Sequence, residues 1–340
     1  MPGHFFYGVL GLDKYNIETF FMENSFLGNR IWISIKVALQ IIFNNKKYDL
    51  IYAATPYGLE LLVLLRSLGI FNKPIIVWQH RALKASPNPW VNKMLKFYYS
   101  GFSKMIMFTD MHIKETLSNG ATTREKLMQM NWGPDTNYFD GIIADNPDRA
   151  PINYFCSTGR ENRDFPTLIK AFSVLPDSIL KIYTTRLHGA MNNEKLLSDY
   201  THSYSNVQVS IVESKNINKF LSKEVSKSIC AVVSCHEHNY TVGLTSLLEA
   251  MALKTAIITS DNPYFPFDVE QEGFGLKVPY GDVDAWTKAA KYLSDHPEIA
   301  IKMGEKGREY VDKYFNLDLL TQDVAKCLYQ VAGKNFSMQS

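Results

Sequence analysis

Short apolar runs alternate with helix-length amphipathic segments along nearly the whole chain, and few folds accommodate that alternation. Residues 48–54, 74–78, 105–108 and 126–130 read as strands, while 59–68, 90–104 and 111–117 have the apolar density of helices. Strands separated by helices pair in parallel, with the helices covering both faces of the sheet. The same grammar restarts further on. Strands are expected at 152–156, 179–184, 207–212, 231–233, 256–258 and 277–279, with helices at 165–172, 218–225, 284–315 and 317–331. Before the first sheet lie a short helix over 4–16, a strand over 17–22 and an amphipathic segment over 30–43. The fold class is therefore α/β with two parallel sheets, each covered by helices.

The 340 residues accommodate two domains of about 150 residues each. Their boundary is expected after the turn cluster 132–139, where periodicity stops over the polar residues 144–149. This gives an N-terminal domain over 1–143, a C-terminal domain over 151–315, and a last helix over 316–340 that crosses back to the first domain. Hydrophobic content of 46% with 21% charged residues is that of a globular chain, and a net charge of +2 argues against nucleic acid as a partner. Cys156, Cys230, Cys235 and Cys327 lack metal or CxxC spacing, so buried reduced thiols in a cytoplasmic protein are expected. No apolar run has transmembrane length, and no charged segment with a cleavage site opens the chain. Segment 90–104 interleaves aromatics with Lys93, Lys96 and Lys104; it reads either as a face for peripheral contact with a membrane or as a sheet-covering helix with snorkelling lysines.

Chemistry concentrates between the apolar runs 231–233 and 256–258. Gly243 permits a turn or a close approach, and Thr245 and Ser246 are N-cap types that open a helix through Leu247 and Leu248. The unpaired N–H groups of a helix start suit a phosphate or diphosphate, and Glu249, placed in the first turn, suits the two hydroxyls of a ribose. A second reading of the same residues makes Ser246 and Glu249 a capping box. After the strand 152–156 and the turn at Gly159, Arg160 and Arg163 are placed to clamp a diphosphate, or else are solvated charges partnered by Glu161 and Asp164. His80 follows the strand 74–78 at the carboxyl end of a parallel sheet, as a site residue or as a structural hydrogen-bonding one. His236, Glu237 and His238 alternate as a metal loop would, but no third ligand accompanies them, and a loop without metal is the other reading.

Four stretches carry a resemblance to the retaining glycosyltransferases of the family 4 type, or glycosyl transferases group 1. These are CSTGRENRDFPTLIKAF at 156–172, GLTSLLEAMALKTAII at 243–258, GFGLKVP at 273–279 with Gly281 and Asp282, and Gly133-Pro134-Asp135 with Phe139. The resemblance implies a GT-B fold, two Rossmann-like domains facing a central cleft. It further implies a nucleotide-diphosphate sugar, UDP- or GDP-linked, held mainly by the C-terminal domain without a metal. By the same resemblance Arg160 and Arg163 bind the diphosphate, Gly159 forms their turn, and Gly243, Leu244, Thr245 and Ser246 form the phosphate loop. Glu249 then binds the ribose, and His80 lies near the transferred sugar.

Two positions depart from the family pattern. Thr241 stands where the family has its first acid, with Glu237 the nearest replacement, and the usual first strand with its glycine-rich loop is expected to be missing. The expected function is sugar transfer, with retention, to a glycan or lipid-linked acceptor in surface polysaccharide synthesis, at the cytoplasmic face of the membrane. A sugar-nucleotide epimerase and a non-catalytic nucleotide-sugar-binding subunit are the alternatives.

Overall fold

The computed structural model describes residues 1–22, 28–145, 152–188, 191–200, 203–213 and 217–336, with Ile152 and Asn153 described in backbone only. Most of the polar run that marked the domain boundary, 146–149, lies outside them. Contacts divide the chain into two compact units, Met1–Phe5 with Gly133–Leu317 and Phe6–Trp132 with Asp318–Ser340. Residues 133–143 thus group with the second half of the chain, and the first five residues group with them.

In the unit built on 6–132, helix α1 (Arg30–Phe43) starts where the Asn29 side chain accepts the Ile31 N–H at 2.9 Å, and it buries Ile33, Val37, Ala38 and Ile41 on one face. There follow β1 (Ile51–Ala53), α2 (Glu60–Ser67), β2 (Ile75–Gln79), α3 (Pro89–Ser100), β3 (Lys104–Met107), α4 (Asp110–Ser118) and β4 (Leu127–Gln129). The four strands pair in the order β1-β2-β3-β4, all parallel. All five residues of β2 are buried, as expected of a strand covered on both faces. The strand expected at 17–22 does not form. Among the described residues its apolar side chains meet no neighbouring strand, and Phe20 and Phe21 stay exposed, so the run has hydrophobicity without a ladder partner there.

The other unit opens with α5 (Thr136–Ala144), in part of what read as a turn cluster; Asp135 converts it to a helix by accepting the Tyr138 N–H at 3.1 Å. Then come β5 (Ile152–Thr158), α6 (Phe165–Ser173), β6 (Ile179–Thr184), and a small antiparallel pair, β7 (Leu187–His188) with β8 (Met191–Asn192). Next are α7 (Asn193–Ser198), β9 (Val207–Ile211), α8 (Ile217–Lys227), β10 (Ser228–Val233) and α9 (Leu244–Ala252). After these come β11 (Ala256–Ser260), β12 (Gly275–Val278), α10 (Val283–Asp295) and α11 (Pro297–Tyr314); the terminal α12 (Leu317–Ala332) follows and, from Asp318 on, groups with the unit built on 6–132. The six long strands pair in parallel in the order β12-β11-β10-β5-β6-β9. Chain direction therefore reverses between β5 and β10, and the crevice at their carboxyl ends is where such sheets take ligands. Phe155, Phe165, Phe172, Ile182, Val232, Ile258 and Trp286 form the core beneath it. All four cysteines are buried and unpaired.

A polar knot ties α8 to β5 and β6. Glu224 accepts from the Tyr183 hydroxyl at 2.7 Å and from Lys181 at 3.0 Å, and the Lys181 ammonium lies 3.9 Å from the centre of the Tyr154 ring. Burial alone would raise the Glu224 pKa, but these bonds outweigh it and hold the carboxyl below its ordinary value. A depressed carboxyl stabilises the fold above the unfolded glutamate pKa, and that stability is lost as pH falls through the folded value. Glu224→Gln is therefore expected to lower unfolding free energy by about 1–2 kcal/mol at pH 7. In urea titrations the gap to wild type should close below about pH 4; a gap independent of pH would contradict this.

Candidate functional site

At the carboxyl end of β5 the chain turns at Gly159, whose φ of +123° places its α-carbon against Arg163: a Cβ there would lie 2.3 Å from Arg163 Nη2. Glycine is what lets the arginine fold back under the turn. The loop is stitched to the segment after β10. Asp164 N–H donates to the Ser234 carbonyl at 3.1 Å, the Ser234 hydroxyl returns to the Asp164 carbonyl at 2.7 Å, and His236 N–H donates to the Asn162 carbonyl at 3.0 Å. Asn162, at φ +50°, donates to the Tyr240 hydroxyl at 2.5 Å, which itself donates to Glu161 at 2.8 Å. Asn193 donates to the Arg160 carbonyl at 3.2 Å from the other side. These bonds fix the backbone from which the loop's side chains project.

Arg160 and Arg163, three residues apart, end in different environments. Arg163 is only 5% exposed. Its Nε donates to the Thr158 carbonyl, Nη1 to the Glu161 carbonyl and the Cys235 sulfur, and Nη2 to the Ser246 hydroxyl at 2.9 Å. It is not the solvated charge offset by Glu161 and Asp164 carboxylates that the alternative reading describes. Arg160 is exposed, and its side chain has no hydrogen bond or ion pair among the described residues. Burial raises the Cys235 thiol pKa against the opposing pull of Arg163, which disfavours the thiolate.

The helix α9 begins on this arginine. Its N-cap is Gly243, at φ +93°, and no side chain caps it. A Cβ at Gly243 would come within 2.8 Å of Val233 and 3.2 Å of the Cys235 sulfur. Leu244 is buried and anchors the first turn, its N–H donating to the Thr241 carbonyl at 3.1 Å. The capping box between Ser246 and Glu249 does not form: Ser246 is the third helical residue and bonds Arg163, while Glu249 lies in the second turn, not the first. The N–H groups of Thr245 and Ser246 meet no acceptor among the described residues. A guanidinium, a hydroxyl and a positive helix end thus meet at the sheet's switch point, which is a chemistry for anions.

Glu249 accepts from His4 Nε2 at 3.1 Å. It lines one cleft with Thr158, Ser246, Asn218, Ser222 and Pro2. Glu237 is exposed in the loop before α9, flanked by His236, 3.9 Å from an Asp164 oxygen, and by His238, whose ring packs on Tyr240. No cluster of three metal-binding side chains occurs among the described residues. In the other unit, His80 is exposed at the carboxyl end of β2, with Nε2 3.1 Å from the Ala54 carbonyl and its ring beside Tyr7 and Phe108. His4, Asn193 and Tyr240 belong to the site's framework but carry no local sequence signal; only the fold brings them in.

Residues 143–310 match the family described as Glycosyl transferases group 1. Over 83 residues the chain is 30% identical to D-inositol 3-phosphate glycosyltransferase of Saccharomonospora viridis; this covers 24% of the chain and 19% of the relative. The chain therefore spans about a fifth of the length of that curated relative. The fold is shared with solved structures. A glycosyltransferase from Rickettsia africae aligns over 96% of this chain and 88% of its own, at 15% identity and TM-score 0.68. Anabaena Alr3699/HepE in complex with UDP-glucose aligns over 87% and 82%, at 14% identity and TM-score 0.67. The UDP-forming α,α-trehalose-phosphate synthase of Burkholderia vietnamiensis aligns over 89% and 79%, at 13% identity and TM-score 0.69. No helix among the described residues is long and apolar enough to cross a membrane.

Proposed function

We propose, from the match of residues 143–310 to the glycosyl transferases group 1 family, that the chain is a retaining glycosyltransferase using a nucleotide-diphosphate sugar. The observation that carries this reading is the buried Arg163 guanidinium bonded to Ser246 at the uncapped start of α9. Breaking the bond between sugar and diphosphate leaves negative charge on the departing oxygen. Donors fixed beforehand at that point stabilise the charge as it develops. Arg163, the Ser246 hydroxyl and the N–H groups of Thr245 and Ser246 supply them, and the exposed Arg160 closes on the outer phosphate oxygens. Gly159 and Gly243 keep the backbone close enough for this. The acceptor attacks from the leaving-group side and passes its proton to the diphosphate, so neither a protein base nor a metal is called on.

Glu249 takes the ribose hydroxyls. His80 acts on the transferred sugar, and Glu237 stands in for the acid absent at Thr241. UDP is favoured over GDP, since Anabaena Alr3699/HepE, of similar fold, holds UDP or UDP-glucose and the Burkholderia vietnamiensis synthase is UDP-forming. The acceptor is a glycan or lipid-linked glycan at the inner face of the membrane in surface polysaccharide synthesis. Trp90, Met94 and Phe97, exposed on α3 beside Lys93 and Lys96, support contact with that surface.

Thermal shift and calorimetry with UDP, GDP, ADP and their sugar conjugates test the donor site. Binding of a UDP ligand by wild type, weakened about tenfold or more in Glu249→Ala, is expected. Failure of the folded protein to bind any of them at millimolar concentration would overturn the reading. With the donor in hand, the phase that takes up labelled sugar, lipid extract or soluble glycan, identifies the acceptor class. A donor bound but never transferred would favour the non-catalytic subunit.

A further inference from the structure

His4 is fully buried in the same compact unit as Glu249. Its ring stacks on Phe139 of α5 at 5.7 Å, with planes 12° apart. The backbone beside it is fixed as well: Gly3 N–H donates to Asp135 Oδ2 at 2.8 Å, and a Cβ on Gly3 would lie 2.9 Å from Leu317 and 3.0 Å from that same oxygen. The Asp135 N–H points at His4 Nδ1 from 2.9 Å. A backbone N–H only donates, so Nδ1 accepts and a neutral ring carries its proton on Nε2. Nε2 lies 3.1 Å from Glu249 Oε1, and there it donates.

The long Glu249 side chain, 28% exposed, would otherwise sample several rotamers at the cleft. A buried donor bonded to one carboxylate oxygen removes that freedom before ligand arrives and leaves the second oxygen turned to other partners. We infer that His4 is a positioning residue for ribose recognition, holding Glu249 Oε1 so that the rest of the carboxylate is presented to the nucleoside diol. This rests on the proposed role of Glu249 at the ribose. Asp135, through its N–H, sets the tautomer and so the direction of the hydrogen bond.

The test is calorimetric titration of UDP and 2′-deoxy-UDP against wild type, His4→Phe, His4→Asn, His4→Gln, Glu249→Ala and the double variant His4→Phe/Glu249→Ala. Wild type should prefer UDP by about tenfold, the worth of one hydrogen bond to a charged group. His4→Phe keeps the packing on Phe139 and loses both bonds; His4→Asn keeps an acceptor for Asp135 but cannot reach Glu249. In both the preference should fall towards unity, while His4→Gln, whose amide spans both partners, should retain most of it. The double variant should be no worse than Glu249→Ala alone. If Glu249→Ala abolishes the preference and the His4→Phe and His4→Asn variants keep it, His4 is structural only and the inference fails. If Glu249→Ala itself keeps the preference, the ribose assignment falls and the inference with it. Thermal unfolding of each variant identifies those that fold, and either of His4→Phe and His4→Asn suffices for the test.

Discussion

Replacing Arg163 with alanine is expected to slow sugar release from the donor by about 100- to 1,000-fold, the scale seen when a fixed donor to a developing anion is removed. The guanidinium is buried, held by three carbonyl or sulfur contacts, and aimed at the first turn of α9 through Ser246. Little reorganisation is then needed when charge develops on the diphosphate. Arg160→Ala should cost about tenfold, because that side chain is solvated and must be ordered by the ligand. Arg163→Lys should fall between, since an ammonium keeps the charge without the fork that reaches the Thr158 carbonyl and Ser246 together. Turnover of a UDP-sugar, followed by UDP release, ranks the three. Equal losses at both arginines would contradict the division between a prearranged and a recruited cation.

The largest effect on stability is expected from Gly304→Ala. Gly304, on α11, faces the turn that ends α9: a Cβ there would lie 2.1 Å from the Lys254 carbonyl oxygen and 2.6 Å from its carbon. Both are backbone atoms, and Lys254 already holds φ +56°. The next nearest atom, the Thr255 nitrogen at 3.1 Å, is backbone too, so relief requires the helix or the turn itself to shift. Gly307, one turn on, rests against Met251, so the two glycines let α11 press on the back of the donor helix. Alanine at 304 should cost roughly 3 kcal/mol in urea unfolding. The UDP affinity of the remaining folded protein should drop as well, because α9 loses its seat. A change below about 0.5 kcal/mol, the ordinary range for a surface substitution, would show that the two elements separate easily.

Much of this is legible in the sequence because its signal is local. Buried parallel strands are apolar runs whatever lies beside them, so 74–78 and 231–233 could be read directly. The glycines at 159 and 243 stand where the backbone must take positive φ. Other features depend on partners distant in sequence. Residues 17–22 have the hydrophobicity of a strand and no strand to pair with among the described residues. Ser246 and Glu249 have capping-box spacing, but Gly243 takes the N-cap, leaving the serine to Arg163 and the glutamate to His4, 245 residues away. Arg160 and Arg163 look equivalent in the chain; the turn at Gly159 and the packing of Cys235 bury one and expose the other. Asp135, in a stretch rich in turn residues, is a helix cap and the partner that fixes the His4 tautomer.

A diphosphate seated on Arg163 at the start of α9 should be visible in titrations of UDP and of uridine in the presence of EDTA. UDP is expected to bind at least about 100-fold more tightly than uridine without metal, and Arg163→Ala to remove most of the difference. A folded protein that binds the two alike, or an Arg163→Ala variant that keeps the wild-type preference for UDP, would contradict it.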